Sequence, residues 1–282
     1  MAIGKWPIIT LLTDFGTKNH YVASVKGTIL KISPGCTLID ITHQVRPHDI
    51  EEGAFILANA YSSFPRGTIH LAVVDPEVGS SRKPILLVTE NYSFVGPDNG
   101  LFTFCLLKEK VKKAVALSNK KFFHPRVSTT FHGRDIFAPV AGYHSLGRKA
   151  KAFGREMKSW VKLPFRKPEM GKGGLAGEIF HVDIFGNLIS NIGEEQVFHF
   201  TKKRPCVIRI GKASIQGLKE SYREVEKGEL LALIGSGGYL EISVREGNAQ
   251  KRLKAKKGDA IIVDCGLRLR EPPGSERLRN AE

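Results

Sequence analysis

Val73-Val74-Asp75-Pro76-Glu77-Val78-Gly79-Ser80-Ser81-Arg82 carries a β-branched stretch into a carboxylate, a rigid proline, a glycine turn and an arginine. About fifty residues on, Phe131-His132-Gly133-Arg134-Asp135 adds an imidazole next to glycine. Carboxylate, guanidinium and imidazole are the groups that move protons and stabilise developing negative charge. Strand ends that release polar residues into a turn are also where α/β folds place their chemistry. A plainer reading stands beside this one. Asp-Pro is a common turn starter, Arg82 could be a solvated loop charge, and His132 could be a satisfied core histidine.

The elements around these segments alternate. Ile8 to Thr13 reads as a buried strand ending at Asp14-Phe15-Gly16-Thr17, and Tyr21 to Ile32 has helical spacing that stops at Ser33-Pro34-Gly35. Thr37 to Ile41 predicts a second strand, Ile50 to Ser62 a second helix and Thr68 to Val74 a third strand. Ile85 to Thr89 and Tyr92 to Val95 are further strand candidates, and Phe137 to Leu146 is a helix candidate. Such alternation implies an α/β layered domain with a mostly parallel sheet covered on both faces, over residues 1–165. From 166 to 177 the composition turns to Lys, Pro and Gly, which marks a linker. Residues 178–266 then read mainly as short strands, a smaller C-terminal β-barrel or sandwich. The charged stretch 267–282 reads as a mobile tail.

The 282 residues are 41% hydrophobic, enough to bury a substantial core, so the chain is not read as disordered. No apolar run approaches the roughly 20 residues needed to cross a bilayer, and Met1 to Thr10 lacks the features of a signal peptide. The expected location is therefore cytoplasmic. Cys36, Cys105, Cys206 and Cys265 are far apart with no C-x-x-C pair and read as small buried hydrophobes. The formal charge of +15 could serve nucleic acid, a membrane surface or an anionic substrate. It is spread over segments that look like loops and exposed helix faces, so solvated surface is favoured over a nucleic-acid groove.

Several motifs tempt and fail. Asp14-Phe15-Gly16 and His132-Gly133-Arg134-Asp135 resemble kinase signatures, but in reversed order and with the His-Arg-Asp run interrupted. Gly235-Ser236-Gly237-Gly238 lacks the ending of a P-loop, and no G-x-G-x-x-G follows a strand. His43 and His48 lack an acidic ligand at metal spacing, so no metal is expected.

Taken together, the separated segments resemble the S-adenosyl-L-methionine hydroxide adenosyltransferases, relatives of fluorinase and chlorinase. The resemblance spans roughly residues 7 to 266. It is carried by Leu11-Leu12-Thr13-Asp14-Phe15-Gly16-Thr17, Asp40-Ile41-Thr42-His43, Asp75-Pro76-Glu77-Val78-Gly79, Val95-Gly96-Pro97-Asp98-Asn99-Gly100, Phe131-His132-Gly133-Arg134-Asp135-Ile136-Phe137-Ala138-Pro139, Asp183-Ile184-Phe185-Gly186-Asn187 and Gly238-Tyr239-Leu240-Glu241-Ile242. It implies an N-terminal α/β domain followed by a C-terminal β-barrel. It also implies that a water-derived hydroxide attacks the 5′ carbon of S-adenosylmethionine, giving adenosine and methionine with no cofactor besides the substrate. The Asp, Arg and His of the water-using branch fall on Asp75, Arg82 and His132, where the halogenases differ.

For the substrate, the resemblance puts Asp14 on the ribose hydroxyls, Asp183 and Asn187 on the methionine ammonium and adenine edge, and Phe185 beside them as an apolar wall. Ser236 would meet the methionine carboxylate, with Tyr239, Glu241, Asn248 and Ala249 bordering the base. Plain alternatives exist for some: Asp14 could cap the following helix, Asn187 could turn the chain, and Tyr239 could be core. Two positions depart from the family. Asn19, also in the substrate set, stands where Asp is common, and Gly237 stands where a larger side chain is frequent. Relatives form trimers with each site between the N-domain of one subunit and the C-domain of its neighbour, so a homotrimer is implied. The competing functions are halide transfer, a sensor that binds without turnover, and a basic nucleic-acid-binding protein.

Overall fold

The structure is a computed structural model that describes residues 7–171, 173–202 and 204–266. The tail read from Leu267 onward lies outside them. The chain divides into two compact units, Met1–Pro164 and Phe165–Glu282.

In chain order the first unit holds β1 (Ile8–Thr13), α1 (Tyr21–Ile32), β2 (Thr37–Thr42), α2 (Ile50–Ala60), β3 (Ile69–Val73), β4 (Pro84–Thr89), β5 (Ser93–Pro97), β6 (Val111–Leu117), α3 (Ala138–Ser145) and β7 (Gly154–Glu156). Its sheet runs β2-β1-β3-β5-β4-β6-β7. The first four strands are parallel neighbours, and of the remaining three only β4 and β7 run against the common direction. The sheet is therefore mixed and mostly parallel, with the parallel half beneath the Asp14 and Asp75 turns. β1 shows why the apolar run is continuous. Ile9 and Leu11 pack with Val25 and Ile29 of α1 and Val140 of α3. Leu12 lies against Gly53 of α2. A strand buried on both faces carries no polar alternation.

α2 starts where its sequence says. The Asp49 carboxylate accepts the Glu52 N–H at 2.9 Å, and Glu51 and Glu52 complement the helix N-terminus. The basic cluster around Lys108 to Lys113 hides β6, whose Lys112 and Lys113 are exposed while Ala114, Val115 and Leu117 are buried. Those lysines sit on a strand and not only on loops or helix faces.

The second unit holds β8 (Glu169–Gly171), β9 (Gly174–Val182), β10 (Leu188–Gly193), α4 (Glu194–Thr201), β11 (Val207–Ile210), β12 (Ala213–Gln216), β13 (Leu230–Ile234), β14 (Tyr239–Val244), α5 (Ala249–Leu253) and β15 (Ala260–Asp264). The sheet path is β12-β11-β15-β9-β10-β14-β13, with β8 on β9, and each of these pairs is antiparallel. Past β12, the Lys219 N–H donates to the Ala232 carbonyl at 2.8 Å, which brings the two ends of the path together. The result is a nearly closed, barrel-like sheet around Ile179, Ile192, Ile208, Leu240, Ile242 and Val263.

The Gly-rich segment read as a linker is built differently: it forms β8 and the first half of β9. A Cβ on Gly177 would press into the side chains of Asn191 and Ile192. Glycine here marks close packing between strands, which composition alone does not distinguish from a flexible connection.

Candidate active site

Two parallel neighbours, β1 and β3, end side by side, with Thr13 in register with Val73. Their next residues therefore emerge on the same edge of the sheet: Asp14 and Phe15 from β1, Asp75 from β3. From Asp75 the chain makes consecutive turns, with Val78 N–H donating to Asp75 O at 3.2 Å and Ser80 N–H to Glu77 O at 3.1 Å. The Ser80 hydroxyl then accepts the Arg82 N–H at 3.2 Å. These turns fold Arg82 back onto Asp75. Arg82 Nε donates to Asp75 Oδ1 at 2.8 Å, and Nη2 donates to Oδ2. This fork geometry is the strong form of an arginine–carboxylate pair. Both side chains are nearly dry, at 3% and 5% exposure.

His132 joins from the other segment, with Nδ1 2.8 Å from Arg82 Nη2. It caps a π-helical turn, Gly133–Phe137, that leads into α3. Such wide turns are rare and concentrate at functional sites. The turn is pinned by Asp135, which is fully buried, accepts the Ser128 N–H at 2.8 Å and holds Arg134 through both carboxylate oxygens at 2.6 and 2.9 Å. Phe137 supplies a ring 5.3 Å beneath the Arg82 guanidinium. Burial, and next the Arg82 charge, lower the His132 pKa, with Asp75 and Asp135 acting the other way. Arg82 Nη1 is buried with no hydrogen-bond partner among the described residues. The three groups first singled out in sequence thus form one hydrogen-bonded cluster.

Asp75 and His132 open onto a cavity of about 420 Å³ whose wall includes Phe15, His20, Tyr21 and Phe131. The Phe131 ring meets Tyr21 edge-on at 5.2 Å and Phe15 at 5.9 Å. A larger groove of about 990 Å³ shares Ser128 and Arg134 with this cavity but none of the Asp75–Arg82–His132 cluster. Arg134, which lines the cavity too, lies 5.0 Å over the Phe131 ring.

Asp14 does not cap α1, whose N-cap is His20 without a side-chain bond. Its Oδ2 instead accepts the His48 N–H at 2.9 Å, and His48 holds a left-handed φ of 70°. Thr13, His43 and Asp40 brace this loop. Thr13 Oγ1 lies 2.8 Å from His43 Nδ1 and accepts the Phe15 N–H, while His43 Nε2 sits 3.0 Å from Asp40 Oδ1. His43 therefore does have an acidic neighbour, the Asp40 carboxylate. Among the described residues no group of three or more His, Cys, Asp or Glu side chains could hold a metal ion. Asn19 is exposed and is not part of the cavity wall, although Phe15 before it and His20 after it are.

In the second unit, Asp183 and Asn187 close the turn between β9 and β10. Asp183 Oδ1 accepts the N–H groups of Phe185 and Asn187, each at 2.9 Å, and Oδ2 accepts the Asn187 amide. The turn presents Ile184 and Phe185 at 92% and 72% exposure. Asn248 caps α5 through the Lys251 N–H and packs on Gly186, and Ala249 behind it is fully buried. Ser236 is exposed in the turn between β13 and β14, and Tyr239 opens β14 half-buried. Glu241 is buried and accepts the Tyr222 and Ser243 hydroxyls, both at 2.7 Å. Burial, then the bond to Glu241, push Tyr222 up to about 12.

The sequence reading missed Tyr222, and it missed His20, Tyr21 and Phe131 as cavity wall. Phe15 and Tyr21 on either side of the loop into α1, and Phe131 next to His132, were the available signal; Tyr222 sits in a charged turn that gave none.

Similarity to known proteins bears on this arrangement. Residues 9–154 match the family model described as SAM hydroxide adenosyltransferase N-terminal domain, and residues 177–262 match its C-terminal domain. Over 269 residues the chain is 37% identical to a protein of Methanocaldococcus jannaschii named (R)-S-adenosyl-L-methionine hydrolase, covering 91% of this chain and 95% of that protein. A fluorinase of an Actinoplanes species is 29% identical over 213 residues, covering 66% of this chain and 72% of the fluorinase. Among solved structures, an uncharacterized conserved protein from Thermotoga maritima superposes with a TM-score of 0.86 at 36% identity, covering 91% of this chain and 99% of that one.

Proposed function

This chain belongs to the SAM hydroxide adenosyltransferase family, and on that premise we propose that it hydrolyses S-adenosyl-L-methionine to adenosine and L-methionine. The observation that carries the reading is the convergence of Asp75, Arg82 and His132 at one end of the mostly parallel sheet, beside a cavity with an aromatic wall.

The chemical difficulty is the nucleophile. Water has a pKa near 15.7, so full hydroxide at pH 7 costs about 12 kcal/mol at 1.36 kcal/mol per unit. The cluster supports a division of labour. Asp75 spends both oxygens on Arg82 and fixes its orientation. Arg82 Nη1 and the His132 Nε2–H are then available as donors to an oxygen gaining negative charge. The C5′–O bond forms as the C5′–S bond breaks, the sulfur leaves as a neutral thioether, and the water proton passes to solvent. Charge is dispersed along this path, so a site that excludes bulk water favours it, provided oxygen, carbon and sulfur lie near a line.

In the same reading Asp14 accepts from the ribose hydroxyls. Asp183, Phe185, Asn187, Ser236, Tyr239, Glu241, Asn248 and Ala249 serve the methionine and adenine ends, with Asn19 a weaker contributor for want of a charge. Because the Asp183 oxygens already hold its turn, its part is to orient Asn187 as much as to touch substrate. S-adenosylmethionine is the substrate, and the reading calls for no cofactor or metal. No helix among the described residues is long and apolar enough to cross a membrane, and we place the activity in the cytoplasm. A homotrimer is part of the proposal, on the family resemblance; light scattering should give three times the 31.2 kDa chain mass.

Incubation with S-adenosylmethionine in heavy-oxygen water tests the reaction. The reading expects methionine, and adenosine labelled at the 5′ hydroxyl. Unlabelled adenosine, a halide-dependent 5′-halogenated nucleoside in its place, or binding without turnover would each overturn it.

A further inference from the structure

Cys206 and Cys265 are far apart in the sequence, and the barrel topology relates them. β11 and β15 are antiparallel, with Val207 opposite Asp264, Ile208 opposite Val263 and Ile210 opposite Ile261. One further step in this register puts Cys206 opposite Cys265.

Two observations fix what kind of pair this is. The Cys206 carbonyl accepts the Gly217 N–H at 2.8 Å, so its backbone polar groups point toward the β12 side and away from β15. Across β11 and β15 the pair is therefore a non-hydrogen-bonded one, the type in which Cα atoms stand about 4.5 Å apart and side chains are closest. That separation falls within the roughly 4.4–6.8 Å spanned by disulfides. The facing residues of the same row, Ile208 with Val263 and Ile210 with Ile261, all belong to the barrel core. Cys206 continues that inward row at 6% exposure, and Cys265 is packed against the same core from its half-buried position. Both thiols thus point to one side of the sheet, directly across from each other.

We propose that Cys206 and Cys265 form a cross-strand dithiol that is oxidised to an intramolecular disulfide by a peroxide or by a small-molecule disulfide. With hydrogen peroxide, the more exposed Cys265 sulfur attacks one peroxide oxygen, giving a sulfenic acid and releasing water. The Cys206 sulfur then displaces a second water from it. Each sulfur loses one electron, each peroxide oxygen gains one, and two thiols plus one peroxide become one disulfide plus two waters. Burial pushes both thiols above the ordinary cysteine value; at Cys265 the nearby Arg204 charge works against this and the Asp264 charge adds to it. Attack through Cys265, the less buried of the two, is favoured, and with both thiols raised reactivity stays modest, as for a dithiol reduced in ordinary conditions and closed only under oxidative load. The inference is independent of the proposed hydrolysis.

The test treats the full reduced chain with hydrogen peroxide and, separately, with glutathione disulfide, then maps peptides without reductant. The expected result is a loss of two hydrogens and a Cys206–Cys265 cross-linked peptide pair, reversed by dithiothreitol. In Cys206→Ser the link disappears, and Cys265 instead retains glutathione as a mixed disulfide. Stable glutathionylation or over-oxidation of Cys265 in the native chain, with Cys206 still open to alkylation after denaturation, would overturn the proposal.

Discussion

Arg82 Nη2 lies 2.8 Å from His132 Nδ1, and because a guanidinium can only donate, the ring nitrogen must accept. The imidazole is therefore neutral, with its proton on Nε2. Burial and the Arg82 charge hold its pKa below the ordinary histidine value. The sign follows: the active form is the deprotonated one, and it survives below pH 6.5. Turnover should hold through that pH and fall only as the medium reaches the lowered pKa, when a ring proton on Nδ1 would displace the Arg82 donor. A kcat profile whose acid limb lies at or above 6.5 would contradict this tautomer.

Arg82→Lys should cost about 10²–10³-fold in kcat, the scale for losing an aligned donor to a developing anion. Lysine keeps the charge but cannot span Asp75 and His132 together. Asp75→Asn should fall comparably, since Arg82 then loses its fixed orientation. Both are read by steady-state kinetics, with circular dichroism confirming an intact fold. A loss under tenfold would remove Arg82 from the chemistry.

Asp14→Asn separates binding from chemistry. The amide oxygen can still accept the His48 N–H, so the loop should keep its shape. The charged acceptor for the ribose is lost, worth roughly 1.5–3 kcal/mol for a charged hydrogen bond. KM should rise by about ten-fold or more with kcat little changed. An unchanged KM would take Asp14 out of the ribose site.

His70 predicts acid sensitivity of the fold. Its ring is fully buried among Tyr61, Phe64, Tyr92 and Phe94, with Nδ1 2.7 Å from the Thr10 hydroxyl, and burial pushes its pKa down to about 3. Between pH 6.5 and 3 the unfolded ring binds a proton that the folded ring does not. Stability therefore drains as pH falls through that window, by on the order of 5 kcal/mol in full. His70→Leu should flatten the dependence while costing about 1–3 kcal/mol at neutral pH for the stranded Thr10 hydroxyl. Urea midpoints at pH 7 and pH 4 would show it; an unaltered difference between them would assign the acid loss elsewhere.

Gly186→Ala should destabilise the barrel. Gly186 has φ near 82°, and a Cβ there would run into the Asn248 side chain that caps α5. A cost of about 2–3 kcal/mol in urea unfolding is expected from the strained dihedral and the collision together. An unchanged midpoint would mean that the turn and the cap relax independently.

Elements whose burial is two-sided were the most legible. β1 and β3 announce themselves by apolar runs, and α2 by its Asp49 cap and its spacing. The misses are elements whose stability comes from elsewhere. β6 carries two exposed lysines right after its first residue, Val111, and is held by the strands beside it, and α5 is a five-residue helix fixed by the Asn248 cap and by the Gln250 N–H donating to Gly186 O. Residues 174–177 looked like a linker because crowded strands and flexible chain both select glycine.

The sequence by itself determined which chemical groups are available and which strand ends release them, because hydrophobic period and turn chemistry are local properties. Only the tertiary structure decided that Arg82 folds back on Asp75 and meets a histidine fifty residues away, that His132 carries its proton on Nε2, and that Cys206 faces Cys265. Those relations depend on strand order and register, which are set by packing between distant segments and so leave no mark at any single position along the chain.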